Sequence, residues 1–386
     1  MDLSRIFLKN ACPTSIGGQA IMEGIMMRGP EKTAVAVRLA DGSIHMKTQP
    51  TPKASKWGKI PIIRGVVNFV GSMVQGTKVL MYSADVLEEN YPEEYEKDKF
   101  DIWIEEKLGK EKAWKFLMII SVLIAIVAAV AIFMLLPTVA VGWLSKLTDS
   151  IILLNLAEGA LRMIIFVAYI MLISKMNDIK TVFQYHGAEH KTIHCFENNQ
   201  ELTPENAQKF YTLHPRCGTS FLMFVMVIAV LTHALMGWPN VWLRIISRVL
   251  VLPLIAGLSY ELLKWAGRSD NWVVKILSLP GIYLQKLTTR EPSEKQLEVA
   301  IAAMKAVLPG NKTPYYEGLC DLNGEPLKNE TAAGESNAAA EPVAIAGDSA
   351  ADKPAAVQTG MDGEESEMAG EENPTVPKEN DNELTS

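Results

Sequence analysis

Histidine and carboxylate side chains are concentrated in the stretch YHGAEHKTIHCFE, which holds three of the chain's six histidines. If this stretch is helical, each residue advances about 100° around the axis, and the histidines share one face with two glutamates. Histidines four residues apart project from adjacent turns and can bind one divalent metal ion, with zinc as the favoured metal. The spacing therefore predicts a metal site on His186 and His190, with His194 and Glu197 as secondary candidates.

A site of this kind needs a third protein ligand, and the sequence leaves its source open. The stretch HPRCG follows closely and offers His214 and Cys217. Glu197 lies on the same helix face as the histidine pair, and Glu261 lies further along the chain. We expect His214 or Cys217 to complete the site.

Glu189 gives the stretch HGAEH the form H-x-x-E-H, the inverted zinc-peptidase pattern in which the glutamate is a general base. The pattern thus indicates hydrolytic chemistry, with Arg216 available to hold an anionic group of a substrate. Glu23 and Arg28, in a glycine- and methionine-rich loop, are secondary candidates that could pair or line the site. The same residues are also typical of a solvated, pH-sensitive helix face or of a structural metal site, and these alternatives stay open.

Four apolar segments predict transmembrane helices, because about 20 apolar residues cross the hydrocarbon layer. The first lies in an uncharged stretch of 30 residues between Lys115 and Lys146. The others cover residues 151–174, 218–238 and about 244–263, and the last of them could instead be re-entrant or interfacial.

Charged residues inside these segments need partners. Glu158 and Arg162 are four residues apart, so they share a helix face and can pair. Arg244 and Arg248 must extend to the interface or find partners within the bundle.

Lysine and arginine in the short loops predict the sidedness of the segments. Positive clusters precede the first segment, connect the second to the third and follow the fourth, whereas the loop between the first two carries Lys146 alone. Both termini are therefore predicted to be cytoplasmic. The histidine-rich loop, residues 175–218, is predicted to lie at the cytoplasmic membrane face.

The chain divides into four predicted regions. Residues 1–113 indicate a cytoplasmic α+β domain, because TAVAVR and SIHM can pair around an ADG turn, and an apolar or interfacial helix follows them. A four-span membrane domain over residues 114–264 precedes a cytoplasmic amphipathic helical segment over 265–317. Residues 318–386 are predicted to be a disordered acidic tail, with 16 acidic and three basic residues from Asp321 onwards.

Four separated motifs carry a resemblance to a known family: GGQAIMEGIMMRGP, YHGAEHKTIHCFE, HPRCGTSFL and PGIYLQKLTTREPSEKQLEVAIAAM. Together they are similar to the YqhQ-like family of bacterial integral membrane proteins, over about residues 10–308. That family is a domain of unknown function labelled as a predicted metal-dependent enzyme. The resemblance implies a multi-pass protein of the bacterial cell membrane with a metal site.

We therefore expect a membrane α-helical fold of about four transmembrane helices, with a small cytoplasmic α+β N-terminal domain and a disordered acidic C-terminal tail. The expected function is metal-dependent hydrolysis, with zinc as cofactor, of a lipid-linked or membrane-protein substrate. The expected partner is the lipid bilayer, and no nucleic acid is expected to bind. The competing hypothesis is a non-enzymatic membrane scaffold or binding protein with a structural metal or none.

Overall fold

The computed structural model describes residues 12, 14–52, 58, 60–90, 99–237, 240–266 and 272–327. These residues form a five-stranded antiparallel sheet, helices packed on the sheet and a group of long apolar helices.

The sheet is a meander in which each strand pairs with the next in the order β1-β2-β3-β4-β5. Arg38 pairs with Ile44 across the turn that contains Asp41 and Gly42, which confirms the predicted hairpin. A second tight turn, with Glu23 at a φ of 46°, joins the first two strands. The strands are β1 (Gly17–Ile21), β2 (Gly24–Arg28), β3 (Lys32–Arg38), β4 (Ile44–Pro50) and β5 (Glu317–Cys320).

Strand β5 corrects the predicted boundary of the tail. It pairs with β4, with Cys320 opposite Ile44, and a turn then brings Pro326 back beside Cys320. The prediction that residues 318–327 are disordered is therefore wrong, because they form most of β5 and the turn that follows it. The rest of the predicted tail lies outside the described residues.

Both faces of the sheet are covered, which explains why β3 is apolar on both sides. Successive side chains of a strand point to opposite faces. Ala34 and Ala36 pack in one core with α6 (Asn177–Glu197) and α11 (Glu294–Val307), whose members include Tyr185, Leu297 and Met304. Val35 and Val37 pack in a second core against Val79 and Val86 of α1 (Ile63–Asn90).

Helix α11 follows its sequence prediction closely. Ser293 and Gln296 form a capping box at its start, and the predicted apolar face is buried. That face consists of Leu297, Ala300, Ile301 and Met304.

Three helical segments are long and apolar enough to cross a membrane, which suggests a membrane protein: Phe116–Leu144, Ile151–Ile173 and Trp242–Trp265. A fourth apolar helix, α8 (Thr219–Ala234), has 16 residues and is short for a span. The first segment is a continuous rod in which residues Ala131–Leu135 are π-helical. The elements are α3 (Lys110–Val130), α4 (Leu136–Leu144), α5 (Ile151–Ile173) and α9 (Val241–Ala266), with α2 (Lys99–Leu108), α7 (Pro204–Gln208) and α10 (Trp272–Thr288) as shorter helices.

The charged residues of the apolar helices pair with one another. Arg162 donates to Glu158 at 3.1 Å, which confirms the predicted pair. Arg248 also binds the Glu158 carboxylate, and Arg244 lies 3.9 Å from it. The two arginines of α9 thus find their partner inside the helix group.

Candidate metal centre

Helix α6 presents its histidines to the interior of the protein. Its residues from Gly187 to Cys195 are buried, and the predicted helical arc is present. Cys195 lies in the core beneath the sheet, where its Sγ contacts the Glu201 carbonyl oxygen at 3.3 Å. Burial raises the pKa of Cys195 to about 11, so this thiol is suited to packing rather than to metal binding.

The structure brings His186, His190 and Cys217 together. The nearest ligand atoms of these three residues all lie within 4.8 Å of one another. The His186 Nε2 atom is 3.2 Å from Cys217 Sγ, and the two imidazole rings are 4.5 Å apart at their centroids. Two nitrogens and one sulfur are a ligand set that zinc prefers. We call these residues the first set.

Backbone carbonyls fix the tautomers of both histidines in the first set. His186 Nδ1 donates to the Thr288 carbonyl oxygen at 2.8 Å, and His190 Nδ1 donates to the Thr212 carbonyl oxygen at 2.5 Å. A neutral imidazole that donates from Nδ1 keeps a lone pair on Nε2. Metal-binding histidines are commonly oriented in this way by a second hydrogen bond. The Nε2 atoms of His186 and His190 are therefore prepared to bind a metal.

The turn that carries Cys217 is held in place from α10. Gln285 accepts a hydrogen bond from the His214 backbone N–H and donates to the His214 carbonyl, both at 2.9 Å. The Thr219 N–H donates to Cys217 Sγ at 3.4 Å, which orients the thiol beside His186.

A close backbone contact places the end of α10 beside the histidines. The Arg290 N–H donates to the Phe183 carbonyl of α6 at 2.9 Å. A Cβ atom on Gly187 would lie 2.0 Å from the Arg290 carbonyl oxygen, so glycine is required at this position. This approach brings the Thr288 carbonyl within reach of His186.

A second set consists of His194, Glu197 and His214 and lies next to the first. Its three ligand atoms also lie within 4.8 Å of one another. The His194 and His214 rings are 4.6 Å apart, and the His190 and His214 rings are 5.6 Å apart. All three residues of the second set are buried. The two sets form one row of ligands along α6 and the turn beside it.

The two histidines of the second set hold unsatisfied nitrogens. His194 Nε2 donates to the Leu213 carbonyl at 3.0 Å, while His194 Nδ1 and His214 Nε2 are buried with no hydrogen-bond partner among the described residues. Burial lowers the pKa of His194 to about 3 and that of His214 well below its usual range, so both rings are neutral. Neutral imidazole is the form that binds metals.

The carboxylate of the second set is already matched by other groups. Arg216 forms an ion pair with Glu197, and the Thr14 N–H donates to Glu197 at 2.8 Å. His214 Nδ1 accepts a 3.3 Å hydrogen bond from the Arg216 N–H, which favours a proton on Nε2. For these reasons the first set is the better candidate for a metal site. Arg216, a candidate for substrate binding, binds Glu197 in this structure.

Glu189 lies on the sheet side of α6 and belongs to neither set of clustered ligands in the described part of the chain. Its carboxylate accepts a hydrogen bond from the Gly18 N–H at 2.8 Å. Burial raises the pKa of Glu189, and the neighbouring charge of His186 and the Gly18 hydrogen bond lower it by less. A raised pKa suits a general base or acid near neutral pH.

The remaining candidates lie away from both sets. Glu261 accepts a hydrogen bond from Arg64 Nε at 2.7 Å, so it links α9 to α1. Glu23 interacts with the Tyr185 hydroxyl at the turn between β1 and β2. Arg28 donates to the Pro52 carbonyl at 3.4 Å.

Comparison with known proteins shows the family to which the chain belongs. A family described as Protein of unknown function (DUF1385) matches residues 60–310. The chain belongs to this family. It is 35% identical over 329 residues to the Uncharacterized protein YqhQ of Bacillus subtilis (strain 168), an alignment that covers 83% of this chain and 99% of that protein. No solved structure matches.

The DUF1385 region contains both sets of ligands and also most of a cavity close to the first set. The cavity measures about 590 Å³ and lies between α1, the start of α8 and the end of α9. It reaches Gly218, the neighbour of Cys217, and Gln19, the neighbour of Gly18. Its wall is largely apolar, with Phe69, Met73, Leu80, Phe221, Leu222 and Leu263, and includes the polar residues Asn68, Ser72, Thr77 and Tyr260.

Sequence reasoning missed the groups that orient the ligands. The carbonyls of Thr212 and Thr288 act through the backbone, which leaves no residue-type signal. Gln285 and Arg290 lie in PGIYLQKLTTREPSE, a motif from which only the family resemblance and part of the amphipathic helical segment were inferred.

Proposed function

We propose that this protein is a metal-dependent hydrolase at the cytoplasmic face of the membrane, with His186, His190 and Cys217 as metal ligands. The observation that supports this most is a pair of imidazoles whose Nδ1 atoms bind backbone carbonyls, with a ligand atom of each within 4.8 Å of the Cys217 Sγ. Three protein ligands are the number typical of catalytic zinc, whereas structural sites have four.

The donor set fits zinc. A zinc ion held there would supply a Lewis acid and a water of lowered pKa. The chain's own contribution is the fixed orientation of His186 and His190 and a carboxylate, Glu189, whose pKa is raised by burial. Glu189 is the residue proposed to accept a proton from the attacking water. Arg216 is proposed to hold an anionic substrate group when it is not paired with Glu197.

The proposed substrate is lipid-linked, and the protein is proposed to cross the bacterial cell membrane four times with both termini in the cytoplasm. The fourth crossing would use α8, whose 16 residues need local thinning of the bilayer or extension by its flanking residues. The apolar cavity beside Gly218 supports a lipid tail as part of the substrate, because it opens among the apolar helices next to the first set. Helix α1 supports an interfacial position, since it exposes Phe69, Val70, Met73 and Leu80.

The metal is tested by elemental analysis of the purified full-length protein. We expect about one zinc ion per chain in the wild type and loss of zinc in the double variant His186→Ala/His190→Ala. His45→Gln, which changes a histidine on β4 far along the chain from the ligands, is the control and should keep its zinc. Equal metal content in the wild type and the double variant would refute the metal site.

A structural metal in a non-enzymatic scaffold is the second candidate, favoured by the burial of His190 and Cys217 and by the presence of a cysteine among the ligands. The variant Glu189→Gln distinguishes a hydrolase from a scaffold with a structural metal. It keeps the size of the side chain but removes the base, so a hydrolase should retain zinc and lose about 10²–10⁴ in rate. Complementation of a deletion strain measures this without a known substrate. Full complementation at normal protein level would favour the scaffold.

A further inference from the structure

The cavity beside Gly218 has the form of a groove that runs along one side of α1. Seven of its wall residues belong to this helix, and they recur in neighbouring turns from Asn68 to Leu80. At 1.5 Å per residue, this part of the helix is about 18 Å long. The other walls come from β1, α8 and α9. We call the cavity whose wall includes these residues of α1 the α1 groove.

The wall of the α1 groove is apolar and open to the outside of the protein. Phe69, Met73 and Leu80 are between 36% and 59% exposed. Contiguous apolar exposure of this kind marks a site for a ligand, a partner or a membrane. Tyr260, on the opposite wall, lies in the candidate span Trp242–Trp265. The groove is therefore continuous with a helix that is apolar enough to contact lipid, which favours a lipid as its occupant.

The length of the α1 groove matches one acyl chain of a bilayer lipid. The hydrocarbon core is about 30 Å thick and contains two leaflets, so one extended chain covers about 15 Å. A groove of about 18 Å holds a chain of that length completely. A polyisoprenoid chain several times longer would extend beyond both ends of the groove.

One side of the α1 groove is polar and adjoins the candidate metal centre. The Gln19 amide lies against the buried Gly76, where a Cβ atom would be 2.8 Å from the Gln19 Nε2. Gln19 follows the residue whose N–H binds Glu189, and Gly218 of the same wall follows Cys217. A polar group bound on this side would therefore lie next to the chain segments that carry the proposed base and the proposed sulfur ligand.

We propose that the α1 groove binds one acyl chain of a membrane lipid, with the polar end of the lipid beside Gln19. The apolar wall packs along the chain, and the Gln19 amide can both donate to and accept from an ester linkage. The proposal deepens the proposed function, because it names an acyl lipid as the substrate class. It rests on the proposed function for that role alone, since binding of the chain needs no metal.

The test locates a photoreactive lipid on the full-length protein in phosphatidylglycerol nanodiscs. The probe is phosphatidylglycerol with a diazirine at the end of one acyl chain. After irradiation and digestion, mass spectrometry identifies the labelled residues. We expect adducts on Phe69, Met73 and Leu80 in preference to Val70 and Val74, which are exposed on α1 outside the groove wall.

A pair of tryptophan variants on α1 blocks the groove and controls for the added side chain. Ser72→Trp should lose the labelling, because the indole ring and the acyl chain compete for the same space. Val74→Trp adds the same ring outside the groove wall and should be labelled like the wild type. If Ser72→Trp does not fold, Met73→Trp blocks the groove from a position that is 59% exposed and should lose the labelling of Phe69 and Leu80.

The double variant His186→Ala/His190→Ala distinguishes this site from the metal centre. It should lose zinc and keep the labelling of the groove. A wild-type protein that is labelled in the groove but contains no zinc would refute the hydrolase and support the groove. A protein that contains zinc but is not labelled in the groove would refute the groove alone.

Two further results would overturn the proposal. The first is equal labelling of Val70, Val74 and the groove residues, and the second is undiminished labelling of the folded groove-blocking variant. Displacement of the probe by a polyisoprenoid phosphate, but not by excess unlabelled phosphatidylglycerol, would assign the groove to an isoprenoid chain and would equally refute the acyl lipid.

Discussion

At the scale of single residues, Cys217 and His214 lie on one short turn but belong to different ligand sets. Cys217 faces His186, whereas His214 faces His194 and Glu197. The difference has a chemical consequence, because the histidines of the first set donate from Nδ1 to backbone carbonyls, whereas the carboxylate of the second set is already paired with Arg216.

Substitution of these two residues shows which set binds the metal. Cys217→Ser should lower zinc affinity more than about 100-fold, since even the loss of an orienting neighbour of a ligand costs about 10–100-fold. His214→Ala should leave zinc bound to the first set. Zinc retained after dialysis against a competing chelator measures both variants. Loss of zinc from His214→Ala but not from Cys217→Ser would assign the metal to the second set.

The ligands themselves were predictable, and their grouping was not. The positions of His186, His190 and His194 on one face follow from helical periodicity. The choice between His214 and Cys217 depends on how Gln285, from a different helix, holds the turn through two hydrogen bonds. No local pattern encodes a contact of that kind.

At the scale of elements, β5 is the strand that sequence reasoning did not predict. It has four residues, EGLC, one of which is a glycine, so it shows neither the length nor the alternation of a typical strand. The hairpin of β3 and β4 and the helix α11 were predictable because their turn, cap and periodicity are local.

Truncations test the role of β5. Removal of residues after Leu327 should leave zinc content and unfolding temperature unchanged, because the composition of the removed part predicts no packed core. Removal of residues after Thr313 also deletes β5, Cys320 and Tyr316, which pack on the sheet. This second truncation should cost about 3 kcal/mol or more, at about 1.5–3 kcal/mol per buried side chain. The unfolding temperatures of the two truncated proteins are measured in detergent. Equal unfolding temperatures would show that β5 adds nothing to stability.

At the scale of the whole molecule, two groups of polar side chains lie at different positions along the length of α5. The candidate metal centre lies where α5 meets α6, and Glu158 with its partners Arg162 and Arg248 lies about 22 Å away along α5. The proposed topology would place the first in the cytoplasm and the second near the exterior.

Reporter fusions test this arrangement. A reporter inserted after Asn198 should behave as cytoplasmic, because lysines flank the histidine-rich segment, and one inserted after Ser145 should behave as external. Protease protection in intact cells and in inverted vesicles provides an independent measurement. An external signal from the Asn198 insertion would place the candidate metal centre outside the cell and would reverse the proposed topology.

The pairing of β4 with β5 also determines the order in which parts of the protein can fold during synthesis. Ile44 and Cys320 are neighbours in the sheet, yet all the apolar helices of the described residues lie between them in the chain. At about 5–20 residues per second, a ribosome needs roughly 14–55 s to make the intervening stretch. During that time β4 presents an unpaired edge, and α11, which covers one face of the sheet, does not yet exist. Synthesis of the apolar helices therefore precedes closure of the sheet, and we expect the nascent N-terminal strands to be bound by chaperones.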